Sequence, residues 1–222
     1  MASGGRWVCL DVGETLIDET RIWSTWAEVL GISPMTFMAA FGANVERGRE
    51  HADVFDLLGV PDWRERAEEV ERRLGGFQAA DLYTDAVPAL AAFASAGYRV
   101  AVVANQPAIR DAELRALGVA PEVMAMSEEM GVSKPDPAFF ARALELMGGA
   151  DPADVTYVGD RPDNDVRPAA AAGMRAVWLR RGPWGVIAPG APEAHLVVGS
   201  LAELVERIGA AWPDGPRPPA IA

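Results

Sequence analysis

Asp11 closes an apolar run, Trp7-Val8-Cys9-Leu10, and opens the segment Asp11-Val12-Gly13-Glu14-Thr15-Leu16. It stands where a buried strand gives way to a turn. At the C-terminal tip of a parallel strand, a carboxylate lies at the mouth where α/β sheets bind their ligands. Such a carboxylate can attack a phosphoryl group and carry it as an aspartyl-phosphate, dividing one difficult hydrolysis into two easier steps. It can also ligate Mg²⁺, which favours hard oxygen donors. Three later segments hold the partners this chemistry needs. Asp160 and Asp165 follow Tyr157-Val158-Gly159 within one loop, and two carboxylates held together repel unless a cation neutralises them. Asp163 is a further candidate for that cluster, or a helix starter with Asn164. Lys134 lies in Gly131-Val132-Ser133-Lys134-Pro135-Asp136-Pro137, where two prolines stiffen the backbone. A fixed ammonium beside Asp11 would offset the charge of nucleophile and phosphate. Ala104-Asn105 ends another apolar run, and there backbone N–H groups and the Asn105 amide can hold an anion.

These residues must be positioned by strands and helices that the pattern locates. Trp7 to Asp11 reads as a first strand. From Glu19 to Gly75 the apolar residues recur at helical spacing, beginning with Ile22, Trp23, Trp26, Val29 and Leu30. Pro34 suits the start of a second helix, and two more follow around Val54 to Leu58 and from Asp62 to Leu74. From Asp85 onward helices and strands alternate. Strands are expected at Tyr98 to Ala104, Glu122 to Met126, Val155 to Val158, Arg175 to Leu179 and His195 to Val198. The helices between them are expected over residues 87–97, 107–117, 137–147 and 164–172, with a last one from Leu201 to Ala211. Strands that are apolar throughout, each fed by a helix, imply a parallel sheet covered on both faces. The fold expected is therefore α/β, a three-layer sandwich with an all-helical insertion after the first strand. The core should comprise residues 1–16 and 85–212, the helical cap 17–84, and a proline-rich flexible tail 213–222.

Bulk properties narrow the function. The net charge of -12 argues against a nucleic-acid backbone as partner. Cys9 is the only cysteine, which fits a reducing cytoplasm. No apolar run approaches a membrane span and no signal-peptide pattern opens the chain, so a cytoplasmic protein without membrane contact is expected. Nothing in the sequence indicates an oligomeric state.

Together the four segments resemble those of the haloacid dehalogenase-like (HAD) hydrolase superfamily, helical-cap (subfamily I) type. The resemblance spans nearly the whole chain and implies a Rossmann-like core with a helical cap. It implies that Asp11 is the nucleophile, that Lys134 in its Lys-Pro-x-Pro setting is the third motif, and that Asp160 and Asp165 hold Mg²⁺ directly or through its waters. Thr15 matches a family threonine that orients phosphate or stabilises the loop. Where the family has Ser or Thr, this chain has Ala104, so backbone and Asn105 are left to bind phosphate. The chief departure is Gly13, which stands where HAD phosphatases carry an acid/base aspartate. Gly13 keeps the carbonyl that ligates metal and discards the acid, whose help is typically worth about 10²–10⁴-fold. Glu14, one residue on, is the nearest stand-in.

The reading is a Mg²⁺-dependent phosphatase acting on a small phosphorylated substrate. Its alternatives are a weakened member that binds a phosphorylated ligand or partner, and a 2-haloacid dehalogenase, which the acidic fourth motif opposes. In the cap, most of Trp23, Trp26, Phe37, Phe41, Phe55 and Trp63 should form a core, while one or two of them, with His51, Arg47 or Arg49, could face the cleft.

Overall fold

Successive residues of a strand face opposite sides of its sheet, so a strand apolar on both sides is stable only between two layers. The computed structural model, which describes residues 5–212, has this arrangement. In β1 (Trp7–Leu10), Val8 and Leu10 enter one apolar core while Trp7 and Cys9 enter another on the opposite face. After β1 come four helices, α1 (Thr20–Val29), α2 (Pro34–Glu46), α3 (Asp53–Leu57) and α4 (Ala67–Leu74). The chain then alternates: α5 (Ala86–Ser95), β2 (Arg99–Ala104), α6 (Ile109–Ala116), β3 (Val123–Met126), α7 (Ser127–Met130), α8 (Pro137–Leu146), β4 (Val155–Gly159). A π-helical turn (Pro162–Val166) leads to α9 (Arg167–Ala171), β5 (Arg175–Leu179), α10 (Gly182–Ile187), β6 (Leu196–Val198) and α11 (Leu201–Arg207).

All strand pairs are parallel, in the order β3-β2-β1-β4-β5-β6. Helices α5, α6 and α11 cover one face of the sheet, and α8 and α9 the other. The chain runs outward from β1 to β3, then crosses back to β4 on the far side of β1. That reversal opens a crevice at the C-terminal ends of the strands. Leu10 lies level with Val102 on one side and Val158 on the other, so Asp11, the Ala104-Asn105 corner and Gly159-Asp160 emerge at one edge.

A third apolar core lies among α1, α2 and α3, built from Ala27, Phe37, Phe41, Val45, Val54 and Phe55. Trp23, Trp26 and Trp63 pack against it, so the aromatic residues expected to form a core do so. One member, Trp184, comes from α10, outside the four-helix stretch, and its ring centroid lies 5.1 Å from that of Phe41. Where the chain leaves and rejoins the sheet, Ile17 bridges Leu82 and the Asp18 N–H donates to the Asp81 carbonyl. Arg21 staples the same point, reaching Asp81 and the carbonyls of Leu74 and Gly76. No helix among the described residues is long and apolar enough to cross a membrane.

Several boundaries differ from those expected. β1 ends at Leu10, which leaves Asp11 at the strand tip with its N–H donating to the Val158 carbonyl. The strands expected to start at Tyr98, Glu122 and His195 each begin one residue later, and β4 extends to Gly159. The single helix expected over 164–172 is a π turn followed by α9, because Pro168 has no N–H to continue an α ladder started at Asn164. The stretch from Asp62 divides into a 3₁₀ turn (Trp63–Arg66) and α4. Helices α7 and α10 were not anticipated; both are short, and α10 carries glycines at two of its six positions. The expected flexible tail, 213–222, lies outside the described residues.

Candidate active site

Asp11, Asp160 and Asp165 each offer a carboxylate oxygen to one cluster, with these atoms within 4.8 Å of one another. The ammonium of Lys134 sits between two of them, 2.7 Å from Asp11 Oδ1 and 2.6 Å from Asp165 Oδ1. Its side chain is 1% exposed. Burial works against its charge, yet the two carboxylates outweigh burial and hold it firmly protonated. Burial pushes Asp11 up to about 6 against the pull of Lys134. Burial, then Asp165 and Asp11, push Asp160 well above the carboxylate range. Three carboxylates with one ammonium leave the site short of positive charge.

Local structure explains each placement. Asp165 lies over the end of β4, where its Oδ2 accepts the Arg161 N–H at 2.9 Å. A Cβ at Gly159 would come 2.3 Å from Asp165 Cγ, so only glycine lets that side chain lie there. Lys134 is fixed by Asn105, whose amide accepts the Lys134 N–H (2.7 Å) and donates to the Lys134 carbonyl (2.9 Å). Asp136 then caps α8 through the Ala138 N–H, with Pro137 at the first helical position.

The cluster opens into a cavity of about 210 Å³ lined by Asp11, Gly13, Glu14, Asn105, Lys134 and Asp160 among the residues expected there. Asp165 is beneath it, with no exposed surface. Other expectations are corrected. Thr15 is wholly buried away from the cavity; its carbonyl accepts from Arg181 at 2.9 Å and its hydroxyl has no partner, so it stabilises a loop rather than touching an anion. Ala104 is buried in the core beneath the sheet edge and lends the cavity no side chain. Asn105 spends its amide on the Lys134 backbone, which makes it first a positioning residue. Asp163 lies outside the acidic cluster, paired with Arg161 at 2.7 Å. Glu14 has φ 47 and its carboxylate is tied down, accepting from Tyr83 Oη (2.5 Å) and the Glu19 N–H (3.0 Å). That carboxylate is therefore committed to holding the turn. Of the residues of the helical stretch considered for the cleft, Trp23 and His51 line the cavity; Arg47 and Arg49 are exposed and do not.

Residues that sequence reasoning did not assign complete the lining: Glu19, Gln106, Arg161, Asn164 and Trp184. Burial, then the charge of Glu14, push Glu19 up to about 7. Arg161 links the sheet to the helical stretch, reaching Glu50 (3.2 Å) and His51 Nδ1 (3.3 Å) and lying 4.5 Å from the Trp184 ring. Only the position of Arg161 inside the acidic loop could have marked it; for Trp184 the sequence holds no comparable signal.

The donor set fits a divalent cation. It is made of hard carboxylate oxygens, and Asp160 Oδ2 is buried without any hydrogen-bond partner. A buried, unpaired carboxylate oxygen is costly unless a cation meets it.

Comparison with known proteins agrees with this geometry. The haloacid dehalogenase-like hydrolase family model matches residues 6–173. The chain is 37% identical over 168 residues to a phosphoserine phosphatase of Thermus thermophilus, covering 73% of this chain and 58% of that protein. It is 36% identical over 110 residues to a glyceraldehyde 3-phosphate phosphatase of Methanopyrus kandleri, covering 48% and 47%. The matched region thus spans about half the length of these relatives. Among solved structures, a HAD phosphatase from Thermococcus onnurineus superposes with a TM-score of 0.62 at 24% identity, over 92% of this chain and 98% of that one. L-2-haloacid dehalogenase from Xanthobacter autotrophicus also gives a TM-score of 0.62, at 20% identity over 91% and 98%. Such distant likenesses speak to the fold alone. With the family model covering most of its length, this chain belongs to the haloacid dehalogenase-like hydrolases.

Proposed function

We propose that this chain is a Mg²⁺-dependent phosphatase of small phosphomonoesters, working through an aspartyl-phosphate on Asp11. The observation that carries the reading is the Asp11 carboxylate, held by Lys134 at the floor of a small cavity beside two further aspartates. Phosphatase relatives support the same reaction class.

Asp11 has one oxygen on Lys134, so the other can approach phosphorus as nucleophile. Lys134 offsets the negative charge that gathers as nucleophile and phosphoryl group meet. A divalent cation would be held by Asp11, Asp160 and Asp165, with Gly13 offering its carbonyl, and would neutralise charge on the phosphoryl oxygens. The backbone N–H of Asn105 would take a phosphate oxygen at this corner, where the Gln106 N–H is spent on the Ala104 carbonyl and Ala104 and Thr15 offer no hydroxyl. Residues 17–84 act as a cap over a core of 1–16 and 85–212; Trp23 and His51 from the cap, with Trp184, close the cavity and limit water. The cavity, about 210 Å³, favours a substrate smaller than the usual 300–1,000 Å³ ligand pocket admits. The lone Cys9 suits a reducing cytoplasm.

The test is hydrolysis of p-nitrophenyl phosphate by the purified protein with Mg²⁺, with EDTA, and as Asp11→Asn. Turnover that needs the metal and disappears in Asp11→Asn supports the reading. Halide release from a 2-haloacid without metal would favour carbon–halogen cleavage, and phosphate-ester binding without any turnover would favour a binding role.

A further inference from the structure

Gly13 lacks a side chain, but the space above it is filled. A Cβ placed on Gly13 would lie 2.4 Å from Glu19 Oε1 and 3.0 Å from Glu19 Cδ. The Glu19 carboxyl group therefore occupies the volume that a side chain at position 13 would enter. Three observations give it freedom to act there. Glu19 stands at the N-cap of α1, yet its side chain makes no capping bond. One oxygen, Oε2, is oriented by the Trp23 indole N–H at 3.1 Å, one helical turn on. The other has no hydrogen-bond partner, and the residue lines the same cavity as Asp11, Lys134 and Asp160. Its backbone is pinned too: the Glu19 N–H donates to Glu14, which Tyr83 holds in turn. Glu14 thus serves as the arm that fixes where α1 begins.

We propose that Glu19 is the acid/base residue of this site, reaching from the start of the cap into the place Gly13 leaves open. The role rests on the phosphatase reading above. In the first half-reaction an Asp11 oxygen bonds to phosphorus as the bond to the ester oxygen breaks, and the Glu19 carboxyl proton passes to that departing oxygen. The products are the alcohol, the aspartyl-phosphate and the Glu19 carboxylate. In the second, water bonds to phosphorus and gives a proton to Glu19. The bond between phosphorus and Asp11 breaks, releasing phosphate and restoring both carboxyl groups to their starting states.

The role predicts dependence on the leaving group. Glu19→Gln should lower kcat/KM for an alkyl phosphate by about 10²–10³-fold, and for p-nitrophenyl phosphate by less than about tenfold, because p-nitrophenolate departs without a proton. The dephosphorylation step should slow as well, so the phosphoenzyme should accumulate and be visible as added mass. Gly13→Asp alone places two carboxyl groups in one space and should lower alkyl phosphate turnover; Gly13→Asp with Glu19→Ala should recover it. In metal-free protein, Gly13→Ala should shift the Trp23 indole N–H resonance, assigned with Trp23→Phe, because the added methyl displaces Glu19. Equal losses on both esters, a Gly13→Asp variant more active than the wild type, or an unmoved indole resonance would overturn the role. A wild type inert toward both esters overturns the phosphatase reading itself, whereas an active wild type whose alkyl rate survives Glu19→Gln overturns Glu19 alone.

Discussion

Replacing Lys134 by methionine tests the electrostatic core of the site with little change in volume. The ammonium contacts Asp11 at 2.7 Å and Asp165 at 2.6 Å, and its side chain is 1% exposed. Removing one partner from a buried ion pair leaves uncompensated charge and costs about 3–5 kcal/mol. Here the ammonium serves two carboxylates at once, so the upper end applies to metal-free protein at pH 8. For a chain of this length about 1 kcal/mol corresponds to roughly 2–4 °C, and the melting temperature should fall by roughly 10 °C or more. The loss should shrink at pH 5. Asp11 is already pushed up to about 6 with Lys134 present, and without the ammonium it rises further, so at pH 5 protons discharge the cluster. Saturating Mg²⁺ should recover part of the stability at pH 8 by replacing lost positive charge. Calorimetric scans of wild type and Lys134→Met at pH 5 and pH 8, with and without Mg²⁺, check all three statements. Equal destabilisation at both pH values would show that Lys134 contributes packing rather than charge, and would refute the reasoning.

Further outcomes follow from the same geometry. Gly159→Ala should push Asp165 from its place, because the added Cβ would lie 2.3 Å from Asp165 Cγ; we expect about 1–3 kcal/mol of destabilisation by overpacking and 10–100-fold weaker Mg²⁺ binding by calorimetric titration. Trp184→Ala should cost about 3–5 kcal/mol in denaturant unfolding, since the ring packs 5.1 Å from Phe41 and beneath Arg161, and it should raise KM by loosening the helices α1 to α3 against the cavity. Wild-type protein stripped of metal should lose stability as pH rises from about 4 to 7. Asp11 at about 6 and Glu19 at about 7 keep protons in the folded state that the unfolded chain, at 3.8 and 4.5, has released. Mg²⁺ should flatten that slope, and a metal-free melting temperature that climbs over this range would contradict the assigned burial of these carboxyls.

Residue types and short-range spacing made the sheet legible before any coordinates. Apolar runs such as Trp7–Leu10 and Val155–Val158 can be buried on both faces only in a covered parallel sheet, and polar residues just beyond their ends must emerge at its edge. Asp11, Lys134, Asp160 and Asp165 were visible for that reason: each lies in a short segment that follows a strand end or runs into stiffening prolines, so its place follows from a few neighbours. Roles that depend on contacts between distant segments were not visible. Asn105 clamps the backbone of Lys134, 29 residues away, and the hydroxyl of Thr15 turns into the interior. Nothing local to Glu19 distinguishes it from a solvated residue at a helix start. It returns over Gly13 because Glu14 takes a left-handed turn, Gly13 bridges Ile17, and α1 begins where that turn ends. Hydrophobic pattern and strand-end chemistry depend on nearest neighbours and can be read along the chain, whereas the distance between a glycine and a carboxyl six residues later is set by how the intervening backbone folds.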